Sequence, residues 1–124
     1  MSIETIIPQL LNTLVNGRVW ENATPDMLPK DANGDFLPFI LWTLHGGQDA
    51  EYVEQEMGEF RNCRVQLTAI SRSSIAAGLL LDSARDRLLA SDYTVGVYGS
   101  PLGTYDAARK LHGRLQQFGI WFQQ

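Results

Sequence analysis

The sequence predicts an α+β fold: a mixed, mainly antiparallel β-sheet with two helices packed on one face, in the order α-β-β-β-α-β-β, with 1–124 as a single domain. Three observations carry that expectation. Ile3, Ile6, Ile7, Leu10, Leu11 and Leu14 recur at helical spacing. Cys63, Val65, Leu67 and Ala69 alternate with Asn62, Arg64, Gln66 and Thr68, the pattern of a strand with one face inward. A second helical stripe, Ala77, Leu80, Leu81, Ala84 and Leu88, follows at once. With 124 residues, 44% of them hydrophobic and 19% charged, the chain suits one globular domain that needs no metal or disulfide to hold its core.

Each element has its own punctuation. The first helix is expected over Ile3 to Val15, capped by Ser2 and stopped by Asn16-Gly17, with Pro8 one turn in. Arg18-Val19-Trp20 reads as a short strand. Glu21 to Leu37, with two prolines and Asn33-Gly34, and a third proline directly after it at Pro38, reads as an irregular loop. Phe39 to Leu44, FILWTL, is a strand apolar on nearly both faces, so it is either central or covered by a partner. Gly46 to Gly58 is acidic, with glycine at both ends, and reads as a mobile loop or a long hairpin tip.

After the Cys63 strand, Ser71, Ser73 and Ser74 supply turn and N-cap hydroxyls for the second helix. Gly78 inside that helix suggests close packing on the sheet. Thr94 to Tyr98 is expected as a strand, Gly99 to Asp106 as a loop, and Leu111 to Phe122 as a long last strand. Leu111 and Leu115 share one face of that strand, whereas Phe118, Ile120 and Phe122 share the other. Either a β-bulge near Gln117 or Gly119 reconciles the two sets, or a partner covers both faces.

The net charge is −4 and the pI about 5.0, with a mean hydropathy of −0.14. An acidic chain with scattered Lys and Arg argues against phosphate-backbone binding. The single cysteine, Cys63, excludes an intrachain disulfide and agrees with a reducing cytoplasm. Ile3 to Val15 lacks the basic flank and cleavage site of a signal peptide. No apolar run approaches the roughly 18 residues of a membrane helix. Without secretion the sequon Asn22-Ala23-Thr24 has no consequence.

Reactive chemistry is sparse. Cys63 falls on the inward face of a strand, where a thiol behaves as a small hydrophobe. His45 and His112 are the two histidines, and His112 reads as a solvent-facing strand residue. Asp31-Ala32-Asn33-Gly34-Asp35 resembles the start of a calcium loop. The position that should supply the closing carboxylate is Trp42, so a polar turn is the better reading. Asp82 and Asp86, with Arg85 and Arg87 among them, read as a solvated helix face. No catalytic, metal or cofactor residues are assigned, and no cofactor is expected. The aromatics Trp20, Phe39, Trp42, Phe118, Trp121 and Phe122 exceed what a thin core obviously needs, and such residues are enriched at interfaces. The candidate interface residues are Phe39, Trp42, Asp49, Glu51, Glu54, Glu56, Phe118, Ile120, Trp121 and Phe122.

The wording of these elements resembles the tail-terminator, or tail-completion, proteins of long-tailed bacteriophages and prophages. The resemblance rests on the N-terminal helix leading into Arg18-Val19-Trp20, and on the proline-rich loop before the Pro38 strand. It continues in Arg64-Val65-Gln66-Leu67 running into a serine turn and helix, and in Leu111 to Phe122, LHGRLQQFGIWF. It covers almost the whole chain. It implies a structural, non-enzymatic virion protein of the tail and neck, assembled in the host cytoplasm. Its implied partners are itself, as a hexameric ring, the major tail tube protein, and the head-tail connector proteins. Neither nucleic-acid readout nor a membrane is implied. Asp49 to Glu59 departs from the family pattern in being longer and more acidic. Competing readings are another neck or connector protein, and a small enzyme or ligand-binding domain built around His112, Arg114 and Tyr98.

Overall fold

The structure, a computed structural model, describes residues 3–21, 28–44 and 60–123, with side chains from Cys63 to Trp121 in the last stretch. Helix α1 (Ile3–Leu11) continues as a 3-10 turn (Asn12–Leu14) and leads to strand β1 (Val19–Glu21). Strands β2 (Phe39–Leu44) and β3 (Phe60–Ser71), helix α2 (Ser74–Leu89), and strands β4 (Thr94–Asp106) and β5 (Leu111–Gln123) follow. The expected order of elements is the observed one.

One five-stranded sheet runs β1-β2-β3-β5-β4, with β1 parallel to β2 and every other pair antiparallel. Residues that face one another across the ladder belong to one side, because successive side chains alternate. Ile40↔Ala69, Trp42↔Leu67, Val65↔Phe118 and Cys63↔Ile120 therefore define a single face. Both helices pack on it. Ile3, Ile6, Ile7 and Leu11 of α1 and Leu81, Ala84 and Leu88 of α2 complete the same core. Cys63 packs against that core, as its phase predicts.

The helices are held by local chemistry as well as by burial. The Ser73 hydroxyl accepts the Ala76 N–H at 3.0 Å and caps α2, as the serine turn suggested. Arg87, in the last turn of α2, donates to the Thr13 hydroxyl and to the Leu10 carbonyl, closing the frayed end of α1. The α-helical part of α1 ends at Leu11 rather than Val15. Asn16 and Gly17 both have positive φ, and the Gly17 N–H returns to the Asn12 carbonyl at 2.8 Å.

Three expectations need correction. Gly99 to Asp106 is not a loop but the second half of β4, with Leu102 to Asp106 paired to Leu115 to Leu111. As an edge strand that is mostly exposed, it lacks the alternation that marks half-buried strands. The bulge lies there too, between Tyr98 and Leu102, with Gly99 at φ 70° and Pro101 inside it. β5 itself pairs with β3 without a shift from Phe60↔Gln123 to Ser71↔His112. Its two apolar sets simply serve the two faces of the sheet. Finally, Gly78 is not closely packed: among the described residues, and apart from its own helix backbone and chain neighbours, no atom lies within 4 Å of where its Cβ would stand. It sits at the flank of α2, beside the buried stripe of Ala77 and Leu81.

Candidate functional site

The side of the sheet away from the helices carries Trp20, Phe39, Leu41, Arg64, Gln66, Thr68, Ile70, Tyr98, Leu115, Gln117 and Trp121. No helix among the described residues covers it. Phe39 is fully buried there, but Trp20, Leu41, Ile70, Leu115 and Trp121 are only half-buried. The Trp20 and Phe39 rings meet at 5.9 Å, tilted by 43°.

Towards β4 this open face is built around glycines. Gly96 and Gly119 are directly paired. The Tyr98 ring lies flat over them: a Cβ on Gly119 would come within 2.8 Å of it. The Arg64 guanidinium stacks on the same ring, 4.1 Å from its centroid, and the Trp121 ring borders Gly96. Arginine, tyrosine and tryptophan thus form a flat, amphipathic surface of the kind enriched at protein interfaces.

At the other end of the same face is a shallow apolar groove of about 190 Å³. Leu28, Phe39, Leu41, Ile70 and Leu111 line it, and Arg109 and Asp106 of the β4–β5 turn stand at its rim. Arg109 bonds Asp106 at 2.8 Å, and the Ala108 and Arg109 N–H groups donate to the same carboxylate. The Arg109 hydrogen bonds hold the Asp106 carboxyl below its ordinary value of 3.8, outweighing the opposing effect of desolvation.

The ten candidate interface residues fall into three groups. Trp42, Phe118 and Ile120 lie in the core beneath the helices, at 3%, 0% and 0% exposure, and Phe39 is at 1% on the opposite face. Side chains sealed beneath the helices have no surface to offer, so Trp42, Phe118 and Ile120 are corrected from contact residues to packing residues, while Phe39 packs on the open face as part of the groove wall. Trp121 is half-buried on the open face and keeps its place as a contact candidate. Asp49, Glu51, Glu54 and Glu56, and the Phe122 side chain, lie outside the described residues, as do the whole of Gly46 to Gly58, Ser2, His45 and the sequon.

The proposed catalytic or ligand-binding trio does not converge. Tyr98 is on the open face, opposite Gln117. Arg114 points to the helix side, where its guanidinium donates to the Ser74 hydroxyl at 3.1 Å. His112 shares Arg114's side and stacks against Tyr105 at 4.7 Å between centroids. His112 is therefore half-buried beside an aromatic rather than open to solvent. The calcium-like run folds as a turn closed on itself: the Asp31 carboxylate accepts the Asn33 and Asp35 N–H groups at 2.8 and 3.0 Å. Among the described residues no three His, Cys, Asp or Glu side chains group as metal ligands do, and no helix is long and apolar enough to cross a membrane.

Sequence reasoning missed Tyr98, Arg64 and the glycines beneath them as a unit. The available signal was the spacing of Gly96, Tyr98 and Gly119, small and large residues that interleave once the hairpin register is known. A scan against family models matches none, and a search of curated proteins returns no match.

Proposed function

We propose that this chain is a ring-forming structural protein of a bacteriophage or prophage virion, a tail terminator. It caps the tail tube, ends its polymerisation and presents a docking surface to the head connector. The motif resemblance motivates the reading, and one observation carries it physically: an open sheet face that exposes aromatic and aliphatic side chains without a convergent polar set. Half-buried Trp20, Leu41, Ile70, Leu115 and Trp121 make a broad surface suited to protein contact. Repeated contact between unlike patches related by rotation closes a ring. The partners proposed are other copies of the chain, the tail tube protein and the connector, in the tail and neck of the particle.

The test mixes the purified chain with purified tail tubes and reads light scattering and negative-stain images. Rings seated on tube ends and arrested tube growth are expected. Unbound tubes, with no ring formed in their presence, contradict the proposal. Trp121→Ala should reduce capping while leaving the far-UV spectrum and melting curve close to those of the parent. Equal losses in capping and stability would move Trp121 into the core.

A further inference from the structure

The apolar groove lies at one end of the sheet and the most acidic part of the sequence leaves from the other. β2 ends at Leu44 and β3 begins at Phe60, so segment 45–59 is attached at the end opposite the groove. That segment contains Asp49, Glu51, Glu54, Glu56 and Glu59 and no lysine or arginine. Tyr52, Val53 and Met57 are interleaved with the carboxylates.

The groove end has the opposite balance. Arg18 precedes β1, Arg72 follows β3, and Arg109 and Lys110 form the β4–β5 turn. Lys30 lies in the Lys30–Phe36 bridge, two residues along the chain from the groove-lining Leu28. Asp35 and Asp106 neutralise Arg72 and Arg109 at 3.3 and 2.8 Å. Asp31 spends one carboxylate oxygen on backbone N–H groups. Lys30 and Lys110 remain exposed, and among the described residues Lys30 lies over the Phe36 ring. At about 190 Å³ the groove is smaller than the roughly 300–1,000 Å³ of small-molecule sites. It is sized for a protein side chain.

We infer that the groove docks segment 45–59 of a second copy of this chain, with one of its apolar side chains in the Leu41–Ile70–Leu111 floor and its carboxylates facing Lys30 and Lys110. The contact joins unlike ends of identical chains. It is heterologous, and it propagates head to tail until it closes. The inference deepens the ring-subunit reading and rests on it for its biological role, but its test needs no tail tube.

Sedimentation of the whole chain across concentration measures the contact directly. Association should appear at low salt and weaken as ionic strength rises from about 0.02 to 0.5 M, because the pairs are exposed. Lys30→Glu with Lys110→Glu should weaken it about tenfold, and so should Glu51→Gln, Glu54→Gln and Glu56→Gln together. Melting curves check that each variant stays folded. An equal mixture of the two variants retains one intact groove and one intact segment per pair. It should form dimers that grow no further. A monomer at every concentration overturns the inference, as would an association indifferent to both variants, or a mixture with no dimer. In those cases tube capping can still succeed through another surface. Head-to-tail association without capping would instead retain the contact and reject the tail-terminator role.

Discussion

The two faces of this sheet are made from the same strands and have opposite characters. On β3, Val65, Leu67 and Ala69 are at most 1% exposed beneath the helices, while Arg64, Gln66, Thr68 and Ile70, one residue out of step, are half-buried on the open side. On β5, Phe118 and Ile120 are sealed and their neighbour Trp121 is not. The difference teaches that side-chain type alone does not assign a role here. Phenylalanine and tryptophan separated by three residues serve folding and surface respectively, and the two-residue period of the strand decides which.

The largest effects should come from the sealed face. Phe118→Ala removes a fully buried ring of β5 from the core beneath the helices and should cost about 3–5 kcal/mol. Trp121→Ala, on the open face of the same strand, should cost clearly less. Urea denaturation of both variants makes the comparison, and equal losses would erase the distinction between the faces.

A second substitution probes how the open face is shaped. Gly119→Ala drives a methyl group into the Tyr98 ring and must displace it from beneath Arg64. Overpacking of this kind costs about 1–3 kcal/mol. Tyr98 ring-proton shifts should move with it. Unchanged shifts would mean that the ring is not stacked on the sheet. Gly78→Ala makes the contrast from the helical layer. The space is open, so the substitution should stabilise by up to about 1 kcal/mol through helix propensity alone. A loss there would reveal a close contact.

The smallest effect concerns the turn beside the groove. Asp106 has its carboxyl value lowered by Arg109, so its contribution is present above the ordinary value and lost as pH falls through the lowered one. Carbon-detected titration should find the Asp106 midpoint below 3.8, and Arg109→Ala should raise it. A midpoint at or above 3.8 in the parent chain would mean the Arg109 contact does not persist in solution.

Much of the architecture was legible in the sequence because it rests on periodicity. The stripes of α1 and α2, the alternation from Cys63 onward and the Ser73 cap all report one-sided burial or a local hydrogen bond. The second half of β4 was not legible. Its residues are mostly exposed, Leu102 and Tyr105 included, so no buried alternation marks them, and only pairing with Leu111 to Leu115 makes them a strand. The aromatic surplus was read as a set, yet residues of one type divided between faces. Trp42, Phe118 and Ile120 went to packing because register, which no single strand contains, set them beneath the helices, while Phe39 fell on the opposite face. The open face was illegible as a unit for the same reason: Arg64, Tyr98 and Gly119 are brought together by three different strands.

The measurement that bears most directly on the central claim is electron microscopy of particles assembled without this protein. A tail terminator predicts tubes of uncontrolled length and full heads left unjoined, with both defects repaired by adding the chain. Tails of normal length attached to heads in its absence would contradict the account.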